Sequence, residues 1–138
     1  MAVFKNKLAV RLQNTDAAGI LFFANHIVLA HETYEKFMEQ IECSFANILE
    51  KEPFLVLIVH TEADFSKPAA VGDRIDIEMQ IMDIGSASFT LEYRLLASDG
   101  SEISRCKTVH VATDKTSGKK IPLPARLRSS LENFRDQP

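Results

Sequence analysis

The order of its elements predicts that this chain is an α+β protein: one strand, one long amphipathic helix, then four more strands joined largely by tight turns. Three observations carry that reading. Between Asn25 and Ile41, apolar and aromatic residues recur at three- and four-residue steps. Beyond Phe54, apolar residues either run together or alternate with polar ones. Turn signals at Gly85-Ser86, Asp99-Gly100 and Thr116-Ser117-Gly118 separate those runs. Such an order describes an antiparallel sheet with a helix packed on one face.

Leu8, Val10 and Leu12 alternate with Ala9 and Arg11, predicting a first strand that stops at Gln13-Asn14-Thr15-Asp16. On the helix, Ile27, Ala30, Tyr34, Phe37, Met38 and Ile41 make the apolar stripe, with Glu32, Glu35, Lys36 and Glu39 between them. A short second helix is expected at Phe45–Lys51. The run from Phe54 to Val59 is too apolar to expose either face, so it reads as the start of a long strand, central there and more exposed towards Phe65. Ile75, Ile77, Met79 and Ile81 pair with Phe89, Leu91, Tyr93 and Leu95 as a hairpin. In the fifth strand, from Ile103 to Thr113, Arg105, Lys107, Val109 and Val111 share one face, and Cys106, Thr108, His110 and Ala112 the other. Leu127, Leu131 and Phe134 predict a C-terminal helix. A helix of about 17 residues spans roughly 25 Å, about the width of five strands at ~4.8 Å spacing, so the sheet can curl around it.

With 138 residues, the chain is expected to form one domain over 1–138. Its 46% hydrophobic and 25% charged residues fit a globular protein. A net charge of −3, with no basic cluster beyond Lys119-Lys120, argues against nucleic acid as a partner. The N-terminal residues lack the pattern of a signal peptide and no apolar run is long enough to span a membrane, so a cytoplasmic location is expected. Cys43 and Cys106 stand apart and read as reduced, mostly buried thiols. His26 and His31 are five residues apart on the helix and fall on different faces. No metal and no cofactor are expected.

The segment Asn14-Thr15-Asp16-Ala17-Ala18-Gly19-Ile20-Leu21-Phe22-Phe23-Ala24-Asn25-His26 resembles the signature D-x-D-x-x-G-x-x-[YF]-[YF]-x-N of the 4-hydroxybenzoyl-CoA thioesterase branch of hotdog-fold proteins. The likeness extends through His31 to Glu35, Val59 to Phe65, Pro68, Gly72-Asp73-Arg74 and Lys119 to Pro124. Within that branch, these segments are most similar to the 1,4-dihydroxy-2-naphthoyl-CoA hydrolases of phylloquinone and menaquinone synthesis. Two departures stand out. Asn14 replaces the first acid, and the Gly85 to Phe89 turn lacks the basic residues that some relatives set against the CoA phosphates.

The resemblance implies a hotdog fold, a five-stranded antiparallel sheet wrapped around one long helix, and an acyl-CoA substrate. Read alone, Asp16 is a loop acid suited to capping a helix. The matched signature makes it the catalytic carboxylate, acting as nucleophile or as general base. Phe23 falls where the helix should start, and the resemblance implies that its backbone N–H holds the thioester oxygen. Gly19 reads as a turn residue that also lets substrate approach. His60, by itself a partly buried histidine, and Thr61 become lining of the acyl pocket. Glu32, Glu35 and Asp64 read as solvated acids, and Arg105, Lys107, Lys119 and Lys120 as surface bases. A homodimer or homotetramer with its site at the subunit interface is implied. The alternatives are a thioesterase for 4-hydroxybenzoyl-CoA or a short acyl chain, a dehydratase, and an acyl-CoA-binding protein that has lost the chemistry.

Overall fold

A computed structural model describes residues 2–138. The chain forms β1 (Phe4–Ala9), a short 3-10 turn at Leu12–Asn14, α1 (Phe23–Gln40), α2 (Phe45–Lys51), β2 (Phe54–Phe65), β3 (Arg74–Ile84), β4 (Ser88–Ala97), β5 (Glu102–Asp114) and α3 (Ala125–Arg135). All five strands join one antiparallel sheet in the order β1-β3-β4-β5-β2. α1 packs across it and touches every strand.

The alternation expected for the central hairpin holds. Ile75, Ile77, Met79 and Ile81 on β3 and Phe89, Leu91, Tyr93 and Leu95 on β4 are wholly buried. Each such burial stabilises the fold by roughly 1.5–3 kcal/mol. The same is true of the inner row of β5, where Cys106, Thr108, His110 and Ala112 are buried. From α1, the stripe Ala30, Tyr34, Phe37 and Met38 meets these rows. α3 buries Leu127, Leu131 and Phe134, the last edge-on to Phe37 at 4.9 Å. Both cysteines are free and buried.

Two elements differ from the sequence reading. The first strand ends at Ala9, not Leu12, because its partner β3 starts at Arg74 opposite Ala9. Val10 is still tied to the loop, donating to Asp73 O and accepting from Gly72 N. Beyond it local bonds take over: Arg11 N–H donates to Asn14 Oδ1, Thr15 Oγ1 to Leu12 O, and Leu12 is left 75% exposed. Short polar side chains that bond nearby backbone compete with strand pairing in this way.

β2 is at the edge of the sheet, not its centre. Its apolar run is open within one chain, with Leu57, Ile58 and Val59 respectively 47, 40 and 60% exposed. A bulge at Val59, between the pairs Ile58–His110 and His60–Val109, changes which residues face α1. Before it Val56 and Ile58 lie opposite the buried Ala112 and His110; after it Thr61, Ala63 and Phe65 lie opposite Thr108, Cys106 and Ser104.

Candidate active site

The residues between β1 and α1 fold into a small hairpin. Phe22 N–H donates to Asn14 O, Thr15 and Leu21 form a bridge, and Asp16 N–H donates to Ile20 O. At its tip, Gly19 N–H donates back to Asp16 O. Gly19 has φ +76°, the left-handed conformation that costs glycine little, while an added Cβ there would meet nothing. The requirement for glycine is therefore one of backbone angle rather than space. A second set of bonds, Leu21 N to Ala69 O and Val71 N to Gly19 O, fastens the hairpin to the loop before β3.

Asp16 is exposed at the hairpin tip. It caps its own turn and not the helix: Oδ1 accepts from Ala18 N–H at 2.8 Å and from Ile20 N–H at 3.4 Å. The carboxylate is thus held through one oxygen, and the other makes no hydrogen bond among the described residues. At the base of the hairpin Phe22 is the N-cap of α1, and among the described residues no side chain caps the helix. Asn25 N–H bonds to Phe22 O, so the open donors of this terminus are those of Phe23 and Ala24. The carboxylate and the positive helix end belong to one hydrogen-bonded unit, two hairpin rungs apart.

An open groove of about 300 Å³ runs along the start of α1, lined by Leu21, Phe23, His26, Phe65, Ser66, Lys67 and Pro68. Of the five residues singled out from the sequence, Phe23 lines this groove, and Asp16 and Gly19 sit on the hairpin beside it. Thr61 and His60 point to opposite faces of β2. Thr61 is on the α1 side, further along the edge from Phe65; His60 is on the far side, its Nε2 3.3 Å from Glu62 Oε1, which also meets Lys107 Nζ at 3.6 Å. Within one chain His60 does not reach the groove. The bulge at Val59 sets this phase.

His26 lines the same groove, and the sequence reading gave it no role there: it closed the matched segment and, five residues from His31, argued against a shared metal site. It is 4% exposed, Nδ1 is 2.8 Å from Ser104 Oγ on β5, and its ring meets Phe65 edge-on at 4.7 Å. Burial lowers its pKa from the ordinary histidine value, which keeps the ring neutral. A signal for it existed, since His26 lies on the buried stripe of α1, three and four residues before Leu29 and Ala30. A polar residue on such a stripe needs a partner. Two rungs away on β5, burial pushes the Cys106 thiol up to about 11, so it stays protonated and is no nucleophile.

A curled antiparallel sheet around one helix, with a carboxylate hairpin leading into an uncapped helix start, defines a hotdog-fold thioesterase. Residues 10–131 match the thioesterase-like superfamily, and the chain belongs to it. The chain is 30% identical over 133 residues, 96% of its length and 97% of the relative's, to a 1,4-dihydroxy-2-naphthoyl-CoA hydrolase from Synechococcus elongatus. It is 32% identical over 132 residues, 96% of this chain and 88% of the relative, to a protein of the same name from Nostoc punctiforme. The crystal structure of a 1,4-dihydroxy-2-naphthoyl-CoA thioesterase from Synechocystis superposes with a TM-score of 0.91 at 28% identity, covering 99% of each chain. Among the described residues no helix is long and apolar enough to cross a membrane.

Proposed function

We propose that this protein hydrolyses an aromatic acyl-CoA, namely 1,4-dihydroxy-2-naphthoyl-CoA to 1,4-dihydroxy-2-naphthoate and CoA, in the cytoplasmic synthesis of phylloquinone or menaquinone. The observation that carries the reading is the pairing of a turn-fixed carboxylate with an uncapped helix start at the mouth of an aromatic-lined groove. The thioester oxygen takes the N–H of Phe23, where the helix dipole favours the charge that develops as the carbonyl is attacked. Asp16 supplies the attack. As nucleophile it forms a mixed anhydride and expels CoA thiolate, and water then cleaves the anhydride; as general base it takes a proton from the attacking water. The full-length likeness to hydrolases of that name supports the naphthoyl group.

The open apolar edge of β2 supports a homodimer or a dimer of dimers. An edge strand of 12 residues with Leu57, Ile58 and Val59 exposed calls for cover, and pairing with a second copy supplies it. In that assembly the groove by Phe65 lies next to the joined edges, and His60 and Thr61 of a second copy complete the acyl pocket. Of the surface bases, Arg105 is bound to Glu92 and Glu102, and Lys107 to Glu62.

The test is release of free CoA thiol from 1,4-dihydroxy-2-naphthoyl-CoA, 4-hydroxybenzoyl-CoA, benzoyl-CoA and aliphatic acyl-CoAs, with wild type and Asp16→Asn in parallel. A naphthoyl preference, with turnover lowered about 10³-fold by Asp16→Asn, is expected. Failure of the folded oligomer to cleave any thioester would overturn the hydrolase reading in favour of an acyl-CoA-binding protein.

A further inference from the structure

The groove beside Phe23 is apolar on most sides, through Leu21, Phe65, Pro68 and the ring of Phe23. Its polar members differ in how they are placed. Lys67 turns its ammonium away to Ser101 and Asp99, and Ser66 is exposed at the rim. His26 alone is a buried polar side chain there. Its Nδ1 is taken by Ser104, and Ser104 is itself fully buried. Its Nε2 has no hydrogen-bond partner among the described residues, yet it is not sealed: the buried side-chain atoms left without partners are Tyr34 Oη and His110 Nδ1. His26 lines the groove, so the groove is the open space within this nitrogen's reach.

Position matters as much as chemistry. His26 follows Phe23 by three residues, so the two share a face of α1. Helical side chains lean towards the N-terminus and cover the preceding turn, which brings the imidazole back towards the Phe23 N–H. A carbonyl oxygen held by that N–H sets the ring atom next to the carbonyl, and whatever that atom carries, within reach of the imidazole. A mostly apolar pocket with one fixed polar group is how binding sites orient a flat ligand.

We propose that His26 Nε2 hydrogen-bonds a hydroxyl on the aromatic acyl group adjacent to the thioester carbonyl, making His26 a specificity-determining residue and Ser104 the residue that positions its ring. The class of ligand is an ortho-hydroxyaryl thioester, and the inference rests on the aryl-thioester reading above. A site built to bond a hydroxyl rejects the analogue lacking it, because its own buried group is then left unpaired.

The experiment compares kcat/KM for 1-hydroxy-2-naphthoyl-CoA and 2-naphthoyl-CoA. Wild type is expected to favour the hydroxylated ester at least tenfold. His26→Asn can keep the bond to Ser104 but lacks a nitrogen at the Nε2 position, and should erase that preference. His26→Gln, which extends an amide to that position, should restore part of it. Ser104→Ala should erode the same ratio by a smaller factor, an effect that a purely structural role would not produce. Equal loss on both esters in folded His26→Asn, or a wild type that cleaves both esters equally well, would overturn the inference while leaving the hydrolase reading intact. A wild type that cleaves neither would overturn both. Binding of 1-hydroxy-2-naphthoate against 2-naphthoate, followed by calorimetry, reads the same preference without turnover.

Discussion

His26 and His110 are both buried, both bonded to a hydroxyl on β5, and both shifted towards the neutral ring, yet their second nitrogens meet different surroundings. His26 enters from the fourth position of α1, bonds Ser104 and keeps its other nitrogen unsealed beside the groove that the residue lines. His110 sits on β5 itself, where its Nε2 meets Thr108 Oγ1 at 2.7 Å and Thr108 in turn meets Tyr93 Oη at 2.8 Å. Its ring is stacked on Phe89 at 4.7 Å with an interplanar angle of 3°, and lies 4.3 Å from the ring of Tyr34. Its Nδ1 is sealed and unpaired. Burial by itself does not separate a working histidine from a packing one; the direction of the uncommitted nitrogen does.

The largest way to break this pair apart is His110→Ala. It removes a stacked, fully buried ring from beneath α1, and a loss of about 3–4 kcal/mol is expected from the cavity and the disrupted network. His26→Asn should cost about 1 kcal/mol or less, because its ring borders a groove and the bond to Ser104 survives. Urea unfolding of the two variants checks the ranking. Equal losses would show that His26 is as much a core residue as His110.

Acid should separate them next. Burial, with a smaller contribution from His31, lowers the His110 pKa to about 3, against an ordinary value near 6.5. Between those values the unfolded chain binds a proton that the folded chain refuses. The stability this preference confers is complete above pH 6.5 and is lost as pH falls towards 3, at up to about 1.4 kcal/mol per pH unit. His26 acts in the same direction and, being less enclosed, to a smaller extent. Melting between pH 7 and 4 should therefore be markedly less acid-sensitive in His110→Phe, and only slightly less so in His26→Asn. A His110→Phe profile parallel to that of wild type would show that this ring is not the source of the acid sensitivity.

Those two histidines also show what was legible in the sequence. The alternation of Cys106, Thr108, His110 and Ala112 grouped His110 on one face of its strand, because a strand repeats every two residues whatever lies around it, while only the packing against α1 shows that this face is the inner one. Around Asp16 the sequence marked a loop acid, a turn glycine and the start of α1, which are local devices, but not the hairpin that joins them, whose bonds to the loop before β3 are long-range. His26 went unread because its meaning depends on Ser104, 78 residues away, and on a groove that exists only once β2 and β5 lie beside α1. His60 and Thr61 were read together on the resemblance alone, although neighbours on a strand point to opposite faces; which of the two faces α1 is set by the bulge at Val59, which leaves no mark in the alternation. The edge placement of β2 was hidden for a different reason. Its run from Phe54 to Val59 has the composition of a strand covered on both sides, which the proposed second copy would supply.

The smallest expected effect is at Tyr34, the other buried group without a partner among the described residues. Its ring packs against Phe45, Phe89 and His110, its hydroxyl is buried, and burial raises its pKa well above the ordinary tyrosine value. An unpaired hydroxyl in the core has lost its bonds to water and gained none, which costs about 1–3 kcal/mol, while the ring packs as well without it. Tyr34→Phe should therefore be neutral or stabilise by up to about 1 kcal/mol, read as a higher urea midpoint at an unchanged slope. A loss of more than about 1 kcal/mol would mean that the hydroxyl is bonded in solution. His110 Nδ1, the unpaired atom of the adjacent ring, would then be the first partner to test, and the double variant with His110→Phe would show whether the two losses are one interaction.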